Sequence, residues 1–298
     1  MIGSAHRCVI GSGRSIHLGI STCPNDTFAF AGLLEGLVDP GGFQWTIDLL
    51  DISQLNAGLF AGDFDVAKTS FHAAMQLADV TQVLPVGSAL GFGVGPLLLA
   101  ARAGDEPTMS NQITLCPGAA TTATFLFNAF YPNTTHLDHV LFSEIMPRLS
   151  SQSADFGVCI HEGRFTYAQS GLHLVSDLGE QWESETNSPL PLGGLVIRDH
   201  HDASTVRRVI DVVDASLALA RDRNEIALPV MRRFAQEFDD TVLMQHVDLY
   251  VNEWTFDLGE VGRTALEALS EYAERNPPHL SDRTSRCRPC QRLRILSR

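Results

Sequence analysis

Asp155-Phe156-Gly157-Val158-Cys159-Ile160-His161-Glu162-Gly163-Arg164-Phe165-Thr166-Tyr167 is the stretch from which the fold is read. Phe156 to Ile160 is a short apolar run bounded by Asp155 and Gly163, the pattern of a buried strand. His161 and Glu162 stand at its C-terminal end. In open α/β sheets the carboxyl ends of the strands face the ligand crevice. An imidazole placed there can take a proton from a substrate near neutral pH. The alternative is an ordinary histidine following a strand, and the rest of the chain has to weigh between the two. Adjacent side chains on an extended backbone point to opposite faces, so Glu162 is not expected to pair with His161 in a catalytic dyad.

The chain has 298 residues, enough for one large or two medium domains. Hydrophobic residues make up 44% and charged residues 19%, which allows a sizeable core. The net charge of −14 argues against a nucleic-acid partner and against an anionic membrane surface. Residues 277–298 hold six Arg and one Asp, a net +5 that leaves −19 on residues 1–276. Six cysteines lie at 8, 23, 116, 159, 287 and 290. Four of them show no framework spacing, which predicts reduced thiols and a cytoplasmic location. Cys287 and Cys290 have the spacing of half a zinc site, but no second pair follows. No apolar signal-peptide segment opens the chain. The uncharged run 83–101 is long enough to span a bilayer, but its Gly and Pro residues favour a strand, a glycine loop and a second strand.

Residues 1–15 read as a polar, unstructured extension, and Ile16 to Ile20 as the first strand. That strand runs into Ser21-Thr22-Cys23-Pro24-Asn25-Asp26-Thr27-Phe28, turn and N-cap chemistry that predicts a helix over 27–37. Phe43 to Leu50 is a second strand, and Ile52 to Gly62 a helix carrying Asn56. Phe64 to Ala67 is a third strand that ends in Lys68-Thr69-Ser70. Residues 87–96 form a loop whose four glycines allow close approach to a ligand or simply a tight turn. Arg102 to Pro107 reads as one interdomain crossover and 189–194 as the other. Thr121-Thr122-Ala123 opens a helix, as an anion site or as plain capping. Strands are expected at 113–115, 140–142, 172–175 and 195–197. Helices are expected from Ser204 or Thr205, over 225–238 and over 260–275.

Taken in order, these motifs, with Gly91-Phe92-Gly93-Val94-Gly95-Pro96-Leu97, Leu190-Pro191-Leu192-Gly193 and Tyr250-Val251-Asn252, resemble the 1,4-dihydroxy-6-naphthoate synthase family of the futalosine route to menaquinone. The resemblance runs from about residue 16 to 275. It implies an α/β fold similar to a type II periplasmic binding protein, with two lobes around a central ligand cleft. The expected lobes are 16–103 plus 192–275, and 104–191, with 276–298 a flexible basic tail. It implies conversion of cyclic dehypoxanthinyl futalosine to 1,4-dihydroxy-6-naphthoate with release of a dihydroxyacetone fragment, a carbon–carbon lyase reaction that needs no cofactor and no metal. The family's proposed base falls on His161. Its ligand contacts fall on Asn56, Lys68, Thr69, Ser70, Thr122 and Ala123. Family members often carry Arg where Phe92 stands. Two other readings share the fold: a solute-binding protein of a transporter, and the chorismate-dehydrating enzyme of the same pathway. The partner expected on the main reading is a small-molecule substrate.

Overall fold

The computed structural model describes residues 6–161, 163–235, 239–276 and 288–298. The elements run β1 (His6–Gly11), β2 (Arg14–Ser21), α1 (Pro24–Ala29), α2 (Ala31–Leu34), β3 (Phe43–Leu50), α3 (Ile52–Ala61), β4 (Val66–Ser70), α4 (Phe71–Gln76), β5 (Thr81–Val83), β6 (Ala89–Gly91) and β7 (Leu97–Ala100). Then come β8 (Ile113–Cys116), α5 (Thr122–Phe130), β9 (His136–His139), α6 (Phe142–Ser150), β10 (Phe156–Cys159), α7 (Gly163–Thr166), β11 (His173–Asp177), α8 (Leu178–Thr186) and β12 (Leu190–Arg198). The helices α9 (Ala203–Asp222), α10 (Asn224–Phe234), α11 (Asp240–Tyr250), α12 (Glu253–Phe256) and α13 (Gly259–Arg275) close the order.

The strands form two sheets. The first has the order β1-β3-β2-β4-β12-β5, with β6 also paired to β12, and the second β11-β7-β10-β8-β9. In the first, β2 lies parallel to β3 and β4, while β12 returns antiparallel against β4. In the second, β10 and β8 are parallel and β7 runs antiparallel to β10. Ile16, Leu18 and Ile20 are wholly buried in β2. They pack with Val209, Ile210, Val213 and Leu217, the apolar stripe of α9 at helical spacing. A second cluster joins the two sheets, placing Leu55 and Phe71 with Leu98, Phe156 and Trp182. The two sheets therefore share one continuous core.

Several expectations are corrected. Residues 6–11 are a full edge strand paired in register with β3, not an unstructured extension. Only Cys8 and Ile10 of that strand pack against the core, which is why its alternation is faint. β7 belongs to the second sheet, so by strand pairing the chain crosses between β6 and β7 and not at Arg102–Pro107. Residues 190–194 are the first half of β12, paired to β6 and to the end of β4, and not a crossover loop. The strand expected at 140–142 is β9, four residues earlier, and Phe142 already begins α6. The expected helix over 27–37 is two short helices meeting at Phe30. The cap of α9 is Asp202, whose carboxylate accepts from the Thr205 N–H at 2.8 Å.

The C-terminal segment departs most from expectation. Residues 277–287, Cys287 among them, lie outside the described residues. Residues 288–298 run along the edge of the first sheet. The Val83 N–H donates to Arg294 O at 2.7 Å and the Leu296 N–H to Val83 O at 2.9 Å. Leu293 and Ile295 pack on the shared core, and Arg294 and Arg298 pair with Asp199 and Asp214. No helix among the described residues is long and apolar enough to cross a membrane.

Candidate functional site

A cavity with about 650 Å³ of atom-free space, part of it open to solvent, lies between the two sheets. Lys68, Thr69 and Ser70 line it from the end of β4, Thr122 and Ala123 from the start of α5, and His161 from the end of β10. Ser21, Asn25 and Asp26 add the turn after β2, and His246 and Tyr250 the face of α11. The parallel strands β2, β4 and β10 thus point their carboxyl ends at one space, as open α/β sheets do around a ligand.

His161 has φ +57°, the left-handed region, which is uncommon for a residue with a side chain. Such conformations persist only where the surroundings hold them, and they gather at functional sites. His161 Nε2 lies 3.2 Å from Cys23 Sγ, and Phe142 packs edge-on with centroids 4.7 Å apart. Burial, and then the nearby Lys68 ammonium, push the imidazole down to about 3. The ring is therefore an uncharged base at neutral pH. Glu162, the neighbour excluded above as a dyad partner, lies outside the described residues.

Lys68 is buried but paired. Its ammonium donates to Asp26 Oδ1 at 2.6 Å and to Gly87 O at 3.1 Å. Asp26 Oδ2 in turn accepts from the Ser21 N–H. The pair locks the turn after β2 onto β4. Asn56 is buried and does not line the cavity. Its Oδ1 accepts from Thr69 Oγ1 at 2.8 Å and from the Ser70 N–H at 3.1 Å, and its Nδ2 donates to Ser70 Oγ. It stands one layer back and orients the residues that do line the wall. Thr122 Oγ1 donates to Leu192 O at 2.7 Å and accepts from the His72 N–H, bridging α5 to β12.

The glycine loop packs closely and also lines the cavity through Val94, Gly95 and Pro96. A Cβ on Gly95 would stand 2.2 Å from Gly179 Cα, so only glycine lets this loop lie against the start of α8. Arg164 ties the same place to the His161 turn by donating to Gly95 O at 2.7 Å and to Asp177 Oδ2 at 2.5 Å. Phe92 is exposed, edge-on to Trp254, and outside the cavity wall. A group able to hold a metal ion, Asp65, His200 and His201, lies at the opposite end of β4. There His201 already meets Asp65 at 3.0 Å and the Arg14 guanidinium at 3.4 Å.

His246 was not singled out in the sequence. Its one signal was spacing: it stands four residues before Tyr250 of the Tyr250-Val251-Asn252 motif, on the same helix face. Ser21, Asn25 and Asp26 stand in a motif that reads only as turn and cap chemistry, with no ligand role.

The sequence profile of a family described as menaquinone biosynthesis matches residues 16–275. The chain is 38% identical over 263 residues to a 1,4-dihydroxy-6-naphthoate synthase of Streptomyces coelicolor, an alignment spanning 87% of this chain and 92% of that one. It is 37% identical to the enzyme of the same name from Thermus thermophilus, over 88% of this chain and 94% of that one. Among solved structures, a protein from Archaeoglobus fulgidus superposes with a TM-score of 0.81 at 27% identity, covering 88% of this chain and 97% of its own. The ligand-binding component of an ABC-type import system from Staphylococcus aureus superposes with a TM-score of 0.66 at 14% identity, covering 90% and 95%. That likeness carries the fold, which is the periplasmic-binding-protein type, and nothing of the ligand.

Proposed function

The chain belongs to the menaquinone-biosynthesis family that includes the 1,4-dihydroxy-6-naphthoate synthases, and from that premise we propose that it converts cyclic dehypoxanthinyl futalosine to 1,4-dihydroxy-6-naphthoate, with His161 as the general base. The observation that carries the reading is His161 itself: an uncharged imidazole in a left-handed turn on the wall of the cavity between the sheets. The reaction opens a carbon–carbon bond and has to begin by removing a proton from a hydroxyl or an acidic carbon of the substrate. A neutral ring has the lone pair for that step at any working pH. The Lys68 ammonium disfavours the imidazolium before substrate binds. The negative charge that deprotonation leaves on the substrate offsets this in the complex, because an adjacent anion favours the protonated ring. Ser70 Oγ accepts from Asn56 and keeps its own O–H to donate to a hydroxylated ligand. Thr69 and Lys68 shape the wall, and Ala123 leaves room beside it. The chemistry asks for no metal and no cofactor. The enzyme is read as cytoplasmic, as expected of a biosynthetic step on a soluble intermediate.

The test is to incubate the protein with cyclic dehypoxanthinyl futalosine and follow naphthoate absorbance. Product formation is the expected result. A protein that binds a solute and returns it unchanged would instead be a binding protein, and dehydration of chorismate would identify the sister enzyme.

A further inference from the structure

The surroundings of His246 fix which of its nitrogens carries hydrogen. Lys68 donates to Asp26 Oδ1, and the Asn25 amide Nδ2 donates to the same oxygen at 3.0 Å. A carboxylate only accepts, so the amide of Asn25 has one orientation, with its carbonyl turned outward. That carbonyl, Oδ1, lies 3.1 Å from His246 Nε2. It too only accepts, so Nε2 bears the hydrogen. The residue is 1% exposed, and burial, His161 and Lys68 all hold its imidazole well below the usual range. Nδ1 is then left with a lone pair. Nδ1 is buried and has no hydrogen-bond partner among the described residues. Buried polar atoms normally find a partner, and each exception calls for an explanation. The ring lines the cavity, with its centroid 6.0 Å from that of His161 and 4.5 Å from that of Tyr250.

We propose that His246 is a preset acceptor of the cavity: an Nε2-protonated imidazole whose Nδ1 receives a hydroxyl of a polyhydroxylated substrate. The chain Lys68–Asp26–Asn25 sets the tautomer, and the turn after β2 thereby reaches the ligand through α11. The substrate part of this inference rests on the function proposed above. His246 receives a hydrogen bond and no proton moves to it. Two imidazoles this close do not both become charged, so proton transfer stays with His161.

Two measurements test it. The first needs no substrate: long-range proton–nitrogen correlation spectra of the full chain with labelled histidine, assigned by difference from His246→Phe. We expect a protonated Nε2 and an unprotonated Nδ1 through neutral pH. The opposite tautomer, or an imidazolium, overturns the proposal. The second compares kinetics on cyclic dehypoxanthinyl futalosine. His246→Phe keeps an aromatic ring but offers no acceptor, so KM should rise about tenfold or more, with a smaller change in kcat. His246→Gln can donate to Asn25 and accept from the ligand, and should recover most of that loss. Phe and wild type with equal KM overturn the acceptor role while leaving the proposed function intact. If the wild-type chain itself forms no product, the proposed function falls, and the spectrum alone decides the tautomer and its preset acceptor.

Discussion

A residue in the left-handed region at the end of a buried strand costs conformational energy, of order 1–3 kcal/mol, that its surroundings must offset. His161 has those surroundings in Cys23, Phe142 and the Arg164 clamp, and the result is a fixed, uncharged ring. His161→Asn should lose at least about 10²-fold in turnover, the lower end of what general-base assistance contributes. Binding should survive, which calorimetry with the substrate would check. The same burial links stability to pH. His161 and His72 are pushed down to about 3 and about 4, while in the unfolded chain they titrate near the ordinary 6.5. Between those values the unfolded state binds more protons, so stability falls as pH drops below about 6.5 toward the folded values. Thermal midpoints should therefore decline over that window, and His72→Leu should flatten the decline. The rate, wherever the chain stays folded, should show no acid limb near 6.5. Polar groups after strand ends made His161, Lys68, Thr69, Ser70 and Thr122 legible in the sequence. Asn56 entered the expected contacts through the family resemblance, and nothing in a sequence separates a residue on the wall from one behind it. Asn56→Ala should cost about 1–3 kcal/mol of stability through the bonds it makes to Thr69 and Ser70, read as a shift in denaturant midpoint.

Elements with strong apolar runs were readable: β2, β3, β4, β8, β10, and the long helices α9 and α13. The edge strand β1 and the C-terminal segment were not, because an edge strand buries little and alternates faintly. β1 hides in His6-Arg7-Cys8-Val9-Ile10, and the C-terminal strand-like segment in a stretch dominated by arginine. That segment reads as a flexible basic tail from its charge, yet Leu293 and Ile295 alternate with Arg294 and meet the open edge at Val83. A chain truncated after Asn276 should therefore melt lower, by at least about 2–4 °C, since a loss near 1 kcal/mol shifts a chain of this class by that much. An unchanged midpoint would return the segment to the status of a tail. Gly95 makes a sharper case: Gly95→Ala forces backbone against backbone at Gly179, and the glycine loop cannot keep its place beside Arg164.

At the scale of the molecule, the chain crosses between its two sheets twice, once between β6 and β7 and once before β12. We propose that the two sheets, joined by two connections with a cavity between them, close on a ligand by a hinge motion. Lys68 and Ser70 come from one sheet and His161 from the other, so closure would assemble the polar wall and the base together. The group able to hold a metal ion sits at the far end of β4, so a chelator should leave turnover unchanged. Activity lost to EDTA and restored by zinc would contradict this. The central claim is that a neutral imidazole at the end of β10 performs the chemistry of naphthoate formation. The most direct measurement is the rate of naphthoate release from saturating cyclic dehypoxanthinyl futalosine by the wild-type chain and by His161→Asn, both shown to be folded. Product from the wild type and a fall of about 10²-fold or more in the variant are expected. A variant that keeps more than about a tenth of the wild-type rate would assign the base to another residue.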